Sequence, residues 1–153
     1  MLHVSCLKGF SLMEALLATF LLSVGIVAVL SLMASSLRSS MVARDQEIAT
    51  LLAQEGVELV RNVRDNNWAD GNDSFNNLPS GIKTLSRDGG GFYVEGSGSP
   101  TKFKRNIVIE NVANETRIVT STVVWDGTFE SGSACNMTSR CAFAKIVLSR
   151  WGE

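Results

Sequence analysis

The sequence predicts an α+β fold in which one long amino-terminal helix packs on a carboxyl-terminal antiparallel sheet. Three observations predict it. Residues Ala15 to Leu37 form a 23-residue stretch with no charged side chain. Helical apolar spacing continues beyond that stretch to about Asn66. The last third of the chain is then dominated by runs of β-branched residues joined by short links. At 1.5 Å per helical residue the uncharged stretch is roughly 35 Å long, enough to cross a ~30 Å hydrocarbon core.

The first element is set by what precedes the apolar run: Lys8-Gly9-Phe10-Ser11-Leu12-Met13-Glu14. A carboxylate at the mouth of a lipid-length helix is expensive and marks a functional position. Ser11-Leu12-Met13-Glu14 also reads as an S-x-x-E capping box, in which Ser11 and Glu14 satisfy free amides at a helix start. Glu14 suits the positive end of the helix dipole as well. Both readings stand on the residues alone.

The order of short basic leader, Gly, Phe-Ser-Leu-x-Glu and apolar helix resembles the type III signal of type IV prepilins. The resemblance implies that a prepilin peptidase cuts between Gly9 and Phe10 on the cytoplasmic side. It implies too that Phe10 becomes the N-methylated first residue. Glu14 is then the family's assembly acid, pairing with a neighbouring subunit's terminal amine. An ordinary secretory signal fits poorly, because its apolar region is shorter and no Glu precedes it. Lys8 before the span and Arg38, Arg44, Asp45 and Glu47 after it do not decide orientation by charge. The leader motif places the amino end in the cytoplasm and the carboxyl domain outside.

Removing nine leader residues from 153 leaves 144, and removing the span as well leaves about 115, one small domain. Loss of Lys8 takes the formal charge from −1 to −2, and no basic block remains, so no nucleic-acid partner is expected. Cys6 leaves with the leader. Cys135 and Cys141 remain, and an even pair in an oxidising compartment reads as one local disulfide. The alternatives are two thiols or half a metal site. Metal is disfavoured because the single histidine, His3, lies in the leader.

Past the span, Met41, Ile48, Leu52, Leu59 and Val63 fall on one helical stripe with Leu51 beside it. A narrower strip holds Val42, Ala49, Ala53, Gly56 and Val60, mostly small residues. One helix of ~80 Å from Leu12 to Asn66 is expected, with either one strip on its own sheet and one toward neighbours or both strips facing a larger core. The organisation that follows is leader 1–9, membrane and assembly helix 10–37, amphipathic continuation 38–66, connecting loop 67–100 and sheet domain 101–153.

The connecting stretch holds seven of the thirteen glycines and both prolines, which is loop chemistry, with one short strand at Phe92-Tyr93-Val94. The acids around Asp65 to Gly71 invite a calcium reading. An EF-hand alignment on Gly71, however, puts Trp68 and Asn77 at ligand positions, so a helix end plus turn is the better account. Strands are expected at Phe103–Ile109, Arg117–Trp125 and Ala142–Leu148, linked as an antiparallel meander, with Cys135 and Cys141 stapling the last connection.

This order of helix, loop, antiparallel sheet and late disulfide looks like the pilin fold. Ser31 and Ser23 stand where major pilins commonly carry Pro and Gly. Ser11 to Ala18 resembles PilV-type minor pilins and minor pseudopilins of type II secretion, and Glu55 to Trp68 resembles the PilV-like group. The resemblance implies a minor pilin of a type IV pilus. Its partners are then the prepilin peptidase, other pilin subunits, the pilus assembly machinery and the inner membrane. The alternatives are a minor pseudopilin of a secretion or competence system and an uncleaved, membrane-anchored extracytoplasmic binding domain. An enzyme is not expected: without a histidine or free thiol beyond the leader, Ser–His and Cys–His nucleophile arrangements are absent. No catalytic residue, cofactor or metal is assigned.

Overall fold

The structure, a computed structural model, describes residues 11–113, 115–125, 127, 135 and 140–150. It divides into two compact units, one ending at Val42 and one beginning at Ala43. Helix α1, Leu12–Ala69, contributes to both. It begins where the sequence predicts and runs three residues past Asn66. Its end is a turn: the Asp70 N–H donates to the Asn66 carbonyl, Gly71 to Trp68, and Asn72 to Asn67 at 2.8 Å. Gly71 takes φ +74°, a conformation that an L side chain resists and glycine does not.

In the first unit every described residue is exposed, and the apolar side chains surround the helix on all sides. Several hydroxyls interrupt this surface, and three of them are closed on their own helix. Thr19 donates to the Leu16 carbonyl at 3.0 Å, Ser23 to Phe20 at 2.7 Å and Ser35 to Leu32 at 2.9 Å. Hydroxyls satisfied in this way need no outside partner. By length and composition the helix can cross a membrane.

The second unit is the remainder of α1 against one five-stranded sheet. The strands are β1 Gly81–Arg87, β2 Tyr93–Glu95, β3 Ser99–Ala113, β4 Thr116–Trp125 and β5 Cys141–Ser149. Their order is β2-β1-β3-β4-β5, and every neighbouring pair is antiparallel. The three expected strands are present as β3, β4 and β5, and the short one as β2. The stretch 67–100 is not simply a loop, because β1 lies within it. A register shift between Thr84 and Ser86 places Leu85 and Ser86, consecutive residues, both inside. That bulge erases the period-2 signal by which a strand is read.

Of the two helical strips, the small one faces the sheet from Ala49 to Val60, joined by Leu52 and Ile48 of the other, while Val42 is exposed. Ala49, Leu52 and Ala53 pack with Leu85, Phe103, Val123, Trp125 and Ala142. Val60 packs with Ile107, Val119 and Leu148. Met41, Leu51 and Leu59 are exposed. Small side chains let the helix come close to the sheet, and Gly56 marks the closest point. A Cβ there would collide with Ser121 Oγ and lie 2.8 Å from Arg105 Cδ.

Gly56→Ala therefore sets two effects against each other. Helix propensity favours Ala by about 1 kcal/mol, while overpacking costs typically ~1–3 kcal/mol. Since Ser121 is fully buried, the clash should win, and urea unfolding should show Gly56→Ala to be less stable than the parent. Adding Ser121→Gly should recover part of the loss. A Gly56→Ala chain as stable as the parent would show that helix and sheet are not in tight contact there.

Candidate functional site

The first turn of α1 carries the expected assembly residue. The Ser11 carbonyl accepts the Glu14 N–H at 3.0 Å and the Ala15 N–H at 3.2 Å, which starts the helix. Neither the Ser11 hydroxyl nor the Glu14 carboxylate makes a hydrogen bond or ion pair with any described residue. The reciprocal side-chain bonds of a capping box are thus not made, and the Glu14 carboxylate stands exposed in the first turn. It is the only charged group from Ser11 to Leu37. Gly9 and Phe10, the expected cleavage and methylation residues, lie outside the described residues.

The second predicted feature is in the sheet unit. Cys135 and Cys141 are disulfide-bonded, with their Cα atoms 5.8 Å apart. Cys141 is the first residue of β5 and pairs with Val124. Beside it the Trp125 N–H donates to the Arg140 carbonyl at 3.1 Å. The disulfide therefore fastens the incoming connection at the point where β5 joins β4. Such short rings restrict the unfolded chain and contribute roughly 2 kcal/mol.

Sequence reading missed a third feature. Arg105 on β3 is 1% exposed, directly under α1. Its Nη1 donates to the Leu52 carbonyl at 3.2 Å and to Glu55 Oε1 at 3.3 Å, and its Nη2 to Glu95 Oε1 at 2.6 Å. One guanidinium thereby joins α1, β2 and β3. The available signal was parity, since Phe103, Arg105 and Ile107 alternate on the inward face of β3. Arg64, also buried, donates to Asp65 at 2.8 Å and to the Ser149 carbonyl at 3.2 Å. Among the described residues, no three His, Cys, Asp or Glu side chains come together as a metal site requires.

An exposed apolar amino-terminal helix, a helix-on-antiparallel-sheet unit and a stapled last strand make up a pilin-like architecture. Comparison with protein-family models, curated proteins and solved structures finds no match to this chain.

Replacing both Cys135 and Cys141 by Ser should lower the stability of the folded unit by up to ~2 kcal/mol, read from urea unfolding of the full chain. Reduction of the parent by dithiothreitol should have the same effect. Reduced and oxidised chains that unfold at one urea concentration would show that the staple contributes nothing.

Proposed function

We propose that this chain is a minor pilin, a structural subunit of a type IV pilus with no catalytic role. In this reading the prepilin peptidase removes residues 1–9 and methylates the amino group of Phe10. The chain then waits in the cytoplasmic membrane with its folded unit outside. Assembly packs the amino-terminal helix against those of other pilin subunits, with Glu14 neutralised by a neighbour's terminal amine. The observation that carries the reading is a helical stretch, Leu12 to Leu37, that is apolar on every side and whose single ion, the Glu14 carboxylate, has no partner within the described residues. A charge placed so near a low-dielectric phase is costly unless a partner is supplied. The pilin-like unit behind it and the Gly9-Phe10 junction before it support the same reading. A minor pseudopilin of a secretion or competence system has the same requirements. An uncleaved membrane anchor does not need the junction or Glu14.

Processing separates the pilin and pseudopilin readings from the anchor. Co-expression with a prepilin peptidase should shorten the chain by the nine residues up to Gly9 and leave N-methyl-phenylalanine at Phe10, read by mass spectrometry of the amino terminus. Gly9→Val should block cutting and leave membrane insertion intact. An unshortened chain in peptidase-active cells sinks the pilin reading and leaves the anchor.

Glu14→Gln tests the assembly step. Gln can still complete a capping box, so a merely capping Glu14 predicts no change. As a charge partner, its loss should lower the ratio of sheared-fibre to membrane-bound protein severalfold, with cutting after Gly9 preserved. Insertion should ease, since a charge at depth costs up to ~3 kcal/mol. Equal ratios for parent and variant would remove the neutralisation mechanism.

A further inference from the structure

Among the described residues, strand β5 lies at one edge of the sheet, with β4 on one side and no strand on the other. Two bonds at its ends fix which of its backbone groups face outward. The Trp125 N–H donates to the Arg140 carbonyl, and the Arg150 N–H donates to the Glu115 carbonyl at 2.9 Å. Between them the register runs without a shift from Val124–Cys141 to Thr116–Ser149. Bonded and non-bonded pairs alternate in an antiparallel ladder. Ala142, Ala144, Ile146 and Leu148 therefore turn their N–H and C=O groups to β4, and the odd-numbered residues turn theirs to the edge. The Arg64 bond to the Ser149 carbonyl is an independent check, because it reaches an odd-numbered carbonyl from outside the sheet. That bond closes one end of the edge. Phe143, Lys145 and Val147 remain, with outward backbone groups that no described residue satisfies.

The side chains on this edge alternate as well. Phe143 and Val147 are 56% and 61% exposed on the sheet's outer face, with exposed Lys145 between them. On the inner side, α1 overhangs the edge and leaves a groove of about 360 Å³ between Gln54, Val57, Glu58 and Arg61 and residues 143–146 of β5, open along the strand's edge. A strand laid beside β5 would place alternate side chains in this groove and the rest alongside Phe143, Lys145 and Val147. Arg61 is held by Glu58 at 2.6 Å, whereas Lys145 has no anionic partner.

We propose that the β5 edge is a docking site for an extended segment of another protein, which adds to the sheet as a sixth strand. The segment it takes has an acidic residue opposite Lys145, apolar residues opposite Phe143 and Val147, and small uncharged residues turned into the groove. Opposite charges directly across a strand pair stabilise it and like charges oppose it. The same rule disfavours a second copy, since β5 pairing with β5 about its centre sets Lys145 against Lys145. Lysine in the middle of an edge strand thus guards against self-pairing while selecting an acidic partner.

The test uses the full chain in detergent micelles and two fluorescein-labelled peptides, Thr-Val-Ala-Glu-Ala-Val-Thr and its twin with Lys for Glu, with chain-free micelles as blank. Anisotropy should show saturable binding of the Glu peptide, at least threefold tighter than its twin, and Lys145→Glu should invert that preference. Val147→Pro removes one outward donor and no bond to β4. It should weaken the Glu peptide at least fivefold while parent-like circular dichroism is kept. Amide hydrogen exchange at Phe143, Lys145 and Val147 should be fast in the free chain and slowed at least tenfold by the Glu peptide. Failure of both peptides to bind would overturn the proposal, as would a preference indifferent to Lys145→Glu. So would strong protection of these three amides before any peptide is added, which means that the chain itself or a second copy already occupies the edge.

Discussion

The close approach of α1 to the sheet at Gly56 is the constraint on which the second unit depends. With Ser121 Oγ and Arg105 Cδ where a Cβ would sit, the helix backbone lies almost on β3 and β4. Ala49, Ala53 and Val60 extend that contact along the helix. Only at this distance can Arg105 pass beneath the helix and still reach the Leu52 carbonyl, Glu55 and Glu95. A buried guanidinium is tolerable when carboxylates and a carbonyl surround it, and strongly destabilising when they are removed. The tight contact also exacts something: Arg105 Nε and Ser121 Oγ are buried without a hydrogen-bond partner. Unmet groups of this kind cost on the order of 1–3 kcal/mol each. A helix whose own carbonyls are engaged has little left to offer them.

The segment between α1 and β1 carries no regular structure and is fastened by side chains instead. Phe75 lies under two guanidinium groups, those of Arg117 at 4.7 Å and Arg150 at 6.0 Å. Arg150 also pairs with Asp73 at 3.2 Å, and Asn67 donates to the Asn76 carbonyl at 2.6 Å. Exposed pairs are individually weak. Here they converge on one ring, and the segment is held by their number. At the opposite hairpin, Asp88 Oδ1 accepts the Gly90 and Phe92 N–H groups and orders the turn between β1 and β2.

What was legible in the sequence follows from how repetitive each signal is. The helix and β3 to β5 repeat a pattern over many residues, so their existence and type could be read, with boundaries off by a few positions. The small-residue strip was visible too, but nothing in Ala49-x-x-x-Ala53 says whether a neighbour or the chain's own sheet fills it. Strand β1 was hidden by a single bulge. Arg105 was hidden for another reason: a basic residue in Lys104-Arg105-Asn106 reads as solvated, and only the inward parity of β3 reveals it. Glu95, on a three-residue strand, is held by its pairing with Leu85 and by that arginine.

The hydroxyls of the apolar stretch have a further consequence, because they are not equivalent. Thr19, Ser23 and Ser35 spend their protons on carbonyls of their own turn, whereas Ser31 and Ser36 make no bond to a described residue. From Ala15 to Leu30 no hydroxyl proton is therefore left to bond sideways, and polarity distinguishes no azimuth of the helix between Glu14 and Ser31. In the assembly proposed above, a neighbouring helix would meet this length through dispersion contacts alone. Rotational choice would then fall to its two ends, with Glu14 as a compass needle at one and the serines at the other.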